Sequence, residues 1–119
     1  MFAEESRHIP FAVKRIFAIY DIPVGSSRGG HAHWAQHQFL VMMSGECIAI
    51  VDDGAARMTE PLRGRTTGLY VPAGLWLELT GFSASAICLV LASGPYDEAD
   101  YIRDYDEFKS SVDSRRRAT

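Results

Sequence analysis

The sequence predicts an all-β fold, with short antiparallel strands closed into a sandwich or barrel. Three observations carry this expectation. Runs of β-branched and aromatic residues recur at strand length, glycine-bearing turns separate them, and only residues 98–111 read as a turn or short helix.

In chain order, Ala12–Ile22 (AVKRIFAIYDI) is expected as one long strand ended by Pro23 and Gly25. The stretch from Gly25 to Gly45 has glycines at both ends and His31-Ala32-His33 within it, which fits a hairpin presenting both imidazoles to a pocket. Gln38–Met43 and Glu46–Val51 are strands separated by a tight turn at Ser44-Gly45. Asp52-Asp53-Gly54 closes the second of these, with its carboxylates expected in solvent, and Arg57–Leu62 reads as a short polar strand. Gly68–Val71 leads through Pro72-Ala73-Gly74 to a strand at Trp76–Leu79. Ala86–Ala92 (AICLVLA) is a continuous apolar run, expected as a strand buried on both faces. Tyr70, Trp76 and Phe82 are read as core aromatics. Tyr101, Arg103 and Asp104 are read as packing the terminal segment back on the barrel, with contact to substrate as the lesser alternative.

At 119 residues and 47% hydrophobic content the chain supports one core, assigned to a single domain over residues 1–111. Residues 112–119, with Arg115 to Arg117, are expected as a disordered basic tail. A formal charge of −3 leaves no electrostatic footprint for nucleic acid. Cys47 and Cys88 lack any CxxC spacing and fall in apolar runs, so both read as buried free thiols. No apolar run is long enough to span a membrane. The acidic start, with Glu4 and Glu5, does not resemble a signal peptide, so a cytoplasmic protein is expected.

Chemistry concentrates around the two histidines. At i and i+2 of a strand, His31 and His33 turn their rings to one face. Their spacing to Gln38 and Gly45 resembles the first motif of the cupin superfamily, except that Gln38 stands where a metal-ligating Glu is usual. The second cupin motif would supply a third histidine after Pro72-Ala73-Gly74, and Leu77 stands there instead. Two imidazoles and a neutral amide are a poor metal set, so no metal is expected. Two convergent imidazoles suit proton transfer instead, because they titrate near neutral pH. Arg28, beside Gly29 and Gly30, is a candidate for binding an anionic substrate that approaches the backbone closely. Gln38 is a candidate neutral hydrogen-bond partner inside the barrel. Tyr20 and Arg15 are further substrate-binding candidates, although their odd separation puts them on opposite faces of a regular strand.

One resemblance covers residues 9 to 108. Ile9-Pro10-Phe11, Arg28-Gly-Gly-His-Ala-His33, Gln38, Asp52-Asp-Gly54, Leu89-Val-Leu-Ala-Ser93 and Asp100-Tyr-Ile-Arg-Asp-Tyr-Asp-Glu-Phe108 together resemble the sugar 3,4-ketoisomerases, the WxcM-like cupins that act on dTDP-4-oxo-6-deoxyglucose. Gln38 is that family's usual residue. The resemblance implies a cupin (RmlC-like jelly-roll) antiparallel β-barrel with a short C-terminal helical segment. It also implies catalysis by His31 and His33 through an enediolate, no cofactor, a dTDP-linked 4-keto-6-deoxyhexose as substrate, and a homodimer with no nucleic-acid or membrane partner. Two features depart from it: Trp34 replaces the family's usual Lys, and the sequence starts short of the first strand that members carry. A nucleotide-sugar epimerase, a metal-dependent cupin oxygenase and a non-catalytic sugar-binding cupin are the alternatives.

Overall fold

The computed structural model describes residues 9–64 and 68–118. Among the described residues, nine strands form two antiparallel sheets: β1 (Arg15–Ile19), β2 (Arg28–His33), β3 (Gln38–Ser44), β4 (Glu46–Asp52), β5 (Arg57–Arg63), β6 (Gly68–Val71), β7 (Trp76–Thr80), β8 (Ile87–Ala92) and β9 (Tyr101–Ile102). The four-stranded sheet runs β1-β8-β3-β6 and the five-stranded sheet β5-β4-β7-β2-β9. Between them lies the main core, with Leu40, Met42, Cys47, Ala49, Leu77, Leu79, Cys88 and Val90 from both inner faces. Period-two alternation places these residues inward and their chain neighbours outward. The antiparallel jelly-roll class with a C-terminal helix is as expected.

Several local expectations are corrected. The first strand is shorter than Ala12–Ile22, because Asp21 adopts φ 54 and breaks the extended run beyond Ile19. Ser44-Gly45 closes no hairpin: β3 pairs with β6 and β8, whereas β4 pairs with β5 and β7. Gly45, at φ 71, is where the chain crosses from one sheet to the other, and a Cβ there would strike the Ser83 hydroxyl and the Ala86 backbone. The His31-His33 strand is not half of a hairpin with β3 either, since β2 pairs with β7 and β9. β8 is not buried on both faces. Cys88, Val90 and Ala92 face the core, while Ile87, Leu89 and Leu91 lie on the half-exposed outer side.

Residues 112–118, expected as part of a tail, continue a helix. Helix α1 runs from Tyr105 to Ala118. Asp104 starts it, its side chain accepting from the Glu107 backbone N–H at 3.0 Å, and Asp106 and Glu107 complement the dipole in the first turn. Phe108 and Val112, four residues apart, set one apolar stripe against Ala32, Trp76 and Ile102 on the outside of the five-stranded sheet. The basic residues that suggested a tail fall at the helix C-terminal end, where positive charge is favourable. Arg115 lies over the Trp34 ring at 5.4 Å. Asp52 is likewise not solvated: it is 2% exposed and accepts from Arg57 Nε at 2.8 Å and the Tyr105 hydroxyl at 2.6 Å. Those bonds tie α1 to the β4–β5 hairpin. Cys47 and Cys88 are free and buried, as expected.

Candidate active site

One end of the space between the sheets is polar. On the four-stranded side, register aligns Arg15, Ala92, Gln38 and Val71 in a single row across β1, β8, β3 and β6. Gln38 is 3% exposed and shares the inner face of β3 with Leu40 and Met42. On the five-stranded side, His31 and His33 face inward, while Ala32 between them packs under α1. The two imidazoles lie edge to face, their centroids 5.0 Å apart. Tyr101, paired with His33 across β2–β9, closes the group with its ring 5.0 Å from His31 and 4.4 Å from His33.

Hydrogen bonding sets this cluster apart. Among the described residues, the buried side-chain nitrogens without a partner are Arg15 Nε, both ring nitrogens of His31, and His33 Nε2. Native interiors rarely leave such groups unmet, so their concentration on three neighbouring residues marks a place built for a ligand's oxygens. The remaining nitrogen of His33, Nδ1, lies 2.9 Å from Asp100 Oδ2. Burial pushes the His31 pKa from 6.5 down to about 4, with help from His33 and Arg103. Burial lowers His33 as well, against the opposing pull of Asp100. Both rings are therefore neutral near pH 7 and able to accept a proton.

Charged and aromatic side chains behind Tyr101 frame the pocket. Arg103 stacks over Tyr101 at 4.2 Å and pairs with Glu98 at 2.6 Å. That pairing and the Tyr96 hydroxyl, 2.6 Å from Glu98, hold the Glu98 carboxyl at about 2. Arg15 lies 5.0 Å over Phe17 and 5.7 Å over Tyr96, and reaches Gln36 at 3.4 Å.

The candidates from sequence thus separate. His31, His33 and Arg15 come close together, and Gln38 shares the row and inner face of Arg15. Arg28 is exposed, its guanidinium donating to the Ser27 carbonyl at 2.8 Å. It nevertheless shares the face of His31, because a bulge between Gly29 and His31 shifts register and aligns Arg28 with Leu79 and His31 with Leu77. Tyr20 is not brought to this site. It is 61% exposed beyond the far end of β1, about 16 Å along the strand from Arg15 at strand rise. Trp34 projects outward beneath Arg115, so the cation missing at this position is missing from the outer face rather than the pocket. His37 is occupied elsewhere, its Nδ1 2.8 Å from the Tyr70 hydroxyl. Among the described residues no group of three or more His, Cys, Asp or Glu side chains is placed to hold a metal ion. Sequence reasoning missed Asp100 and the Tyr96–Glu98–Arg103 frame. The available signals were the density of acidic and aromatic residues between Asp97 and Phe108 and the place of Asp100 and Arg103 in the run that carries the resemblance.

Comparison with known proteins gives a consistent result. The family model described as "FdtA: WxcM-like, C-terminal" matches residues 1–113. A TDP-4-oxo-6-deoxy-alpha-D-glucose-3,4-oxoisomerase from Aneurinibacillus thermoaerophilus is 43% identical over 109 residues, 92% of this chain and 78% of that protein. A solved 3,4-ketoisomerase from Helicobacter canadensis superposes with a TM-score of 0.91 at 42% identity, covering 94% of this chain and 84% of the other. A 3,4-ketoisomerase from Thermoanaerobacterium thermosaccharolyticum, solved as a histidine-to-asparagine variant with TDP-4-keto-6-deoxyglucose, gives a TM-score of 0.91 at 32% identity, with 95% and 82% covered.

Proposed function

The chain belongs to the FdtA (WxcM-like, C-terminal) family, and from that premise we propose that it moves the ketone of a dTDP-linked 4-keto-6-deoxyhexose from C4 to C3. It is an isomerase of the 3,4-ketoisomerase class. The observation that carries the mechanism is the pair of inward, neutral imidazoles with unpartnered nitrogens, beside which stands Arg15.

The C4 ketone acidifies the C3–H bond. A neutral histidine takes that proton, and the bonding pair moves into a C3–C4 double bond, with charge on the C4 oxygen. This enediolate exchanges a proton between its two oxygens, so that the C3 hydroxyl loses its hydrogen. Collapse to a ketone at C3 draws a proton back from the imidazolium onto C4. No electrons leave the sugar and no co-reactant is consumed. His31 and His33 carry the proton steps together. Arg15 and Gln38 supply donors near the oxygens in a water-poor interior, and Arg28 meets the diphosphate at the rim.

We also propose a homodimer. Its support is the outer face of the four-stranded sheet, where Ile16, Leu91, Phe39 and Tyr70 form one row. Ile16 is 61% exposed, an apolar area that a second copy would cover. Two buried free thiols fit a cytoplasmic location, and no helix among the described residues is long and apolar enough to cross a membrane.

The test is incubation with dTDP-4-keto-6-deoxyglucose in deuterated water, followed by proton NMR. New 3-keto sugar signals with deuterium at carbon are expected. An unchanged sugar spectrum at substrate-saturating concentration would sink the assignment.

A further inference from the structure

We propose that Asp100 is a positioning residue of this site: it fixes the tautomer of His33 and leaves the Nε2 lone pair facing the pocket. Its catalytic consequence rests on the ketoisomerase reading, while its geometry stands apart from it.

Asp100 is 7% exposed and ends a single turn of 3-10 helix, Glu98–Asp100. Its Oδ1 accepts from the Ala35 backbone N–H at 2.8 Å, and its Oδ2 from that of Gln36 at 3.1 Å. Two peptide donors therefore hold the carboxylate in place without any contribution from the histidine. The backbone holds it too, since the Trp34 N–H donates to the Asp100 carbonyl at 2.9 Å and Ala32 pairs with Ile102 in the adjoining strand. Asp100 is thus a fixture to which the ring is tied.

His33 Nδ1 meets Oδ2 at 2.9 Å. A carboxylate offers acceptors only, so Nδ1 is the donor and carries the single ring proton of the neutral imidazole. Nε2 is then a bare lone pair, and it is the ring nitrogen that no protein group meets. When Nε2 takes a proton from the substrate, the ring becomes an imidazolium whose charge the carboxylate offsets until the proton is returned. Neither nitrogen of His31 has such a partner. The two histidines are chemically unequal: one is oriented by a carboxylate, and the other has none on its ring.

Long-range proton–nitrogen NMR of the imidazoles, on the full chain, reads the tautomer directly. His33 in the wild type is expected as the Nδ1–H form. Asp100→Asn presents an amide N–H to Nδ1 and should convert the ring to the Nε2–H form. Its kcat should fall by about 10²–10⁴-fold while KM changes by less than about threefold, the pattern of a lost transition-state interaction. A wild-type His33 protonated on Nε2 overturns the proposal whatever the variant does, including a variant that fails to fold. A folded Asp100→Asn protein that keeps the Nδ1–H form and wild-type kcat overturns it too. Wild-type protein showing the Nδ1–H form with no ketoisomerase turnover would remove the functional reading and leave the tautomer assignment standing.

Discussion

The lowered pKa values of the two imidazoles have consequences at the scale of single residues. A histidine whose folded pKa lies below its unfolded value stabilises the fold above the unfolded value, and that contribution fades as pH falls toward the folded one. For His31 this window runs from 6.5 down to about 4. Two outcomes follow. The acidic limb of kcat/KM should lie below 6.5, since neutral rings persist under conditions that protonate a free imidazole. His31→Asn should lose less melting temperature than wild type between about pH 7 and about pH 5, because it no longer carries that linkage. A pH–rate limb at or above the ordinary histidine value, or parallel melting curves for the two proteins, would contradict the burial argument.

Among the elements, the bulge in β2 decides which side chains meet. Gly29 and Gly30 adopt φ 83 and φ 72, and the extra residue brings Arg28 onto the face of His31. A Cβ on Gly29 would stand 2.8 Å from the Leu77 carbonyl oxygen, whereas one on Gly30 would meet nothing within 4 Å. Gly30→Ala should therefore cost only backbone strain, about 1–2 kcal/mol. Gly29→Ala should cost more than that and also reduce turnover, because the register supporting His31 must shift. Urea midpoints and kcat for the two variants check this, and equal effects would refute the bulge account.

The same strand shows what sequence could disclose. Alternation and turn glycines reveal β2 to β8 as strands, and the i, i+2 spacing places both imidazoles on one face. Local pattern does not say which strand pairs with which, so Ser44-Gly45 looks like a hairpin turn although it is a crossing between sheets. Nor does it reveal partners distant in sequence: Asp100 meets His33 from 67 positions away, and Asp52 is buried only because Tyr105 and Arg57 come to it. The helix over the expected tail was hidden because its arginines suggest solvent, while its apolar stripe consists of just Tyr105, Phe108 and Val112.

For the whole molecule, the two sheets are finished differently on their outer sides. Helix α1 covers part of the five-stranded sheet. The four-stranded sheet instead presents an apolar row outward, and at its edge β1 exposes Ile16. By contrast β5, an edge of the other sheet, carries Pro61 and charged residues that discourage further pairing. If the apolar face is the dimer contact, Ile16→Glu should shift the mass measured by light scattering from dimer toward monomer at micromolar concentration, with the far-UV spectrum unchanged. A wild-type monomer under those conditions would exclude the assembly.

The pairing of β2 with β9 also bears on the order in which the protein becomes functional. Strands β1 to β8 are complete at Ala92, whereas the carboxylate that orients His33 and the ring that closes the pocket arrive with Asp100 and Tyr101. Because synthesis runs from the N-terminus, every residue of β1 to β8 leaves the ribosome before Asp100 and Tyr101 do, and until then the active site lacks one wall. A chain cut before Asp100 is expected to turn over substrate poorly, since His33 then lacks its carboxylate partner.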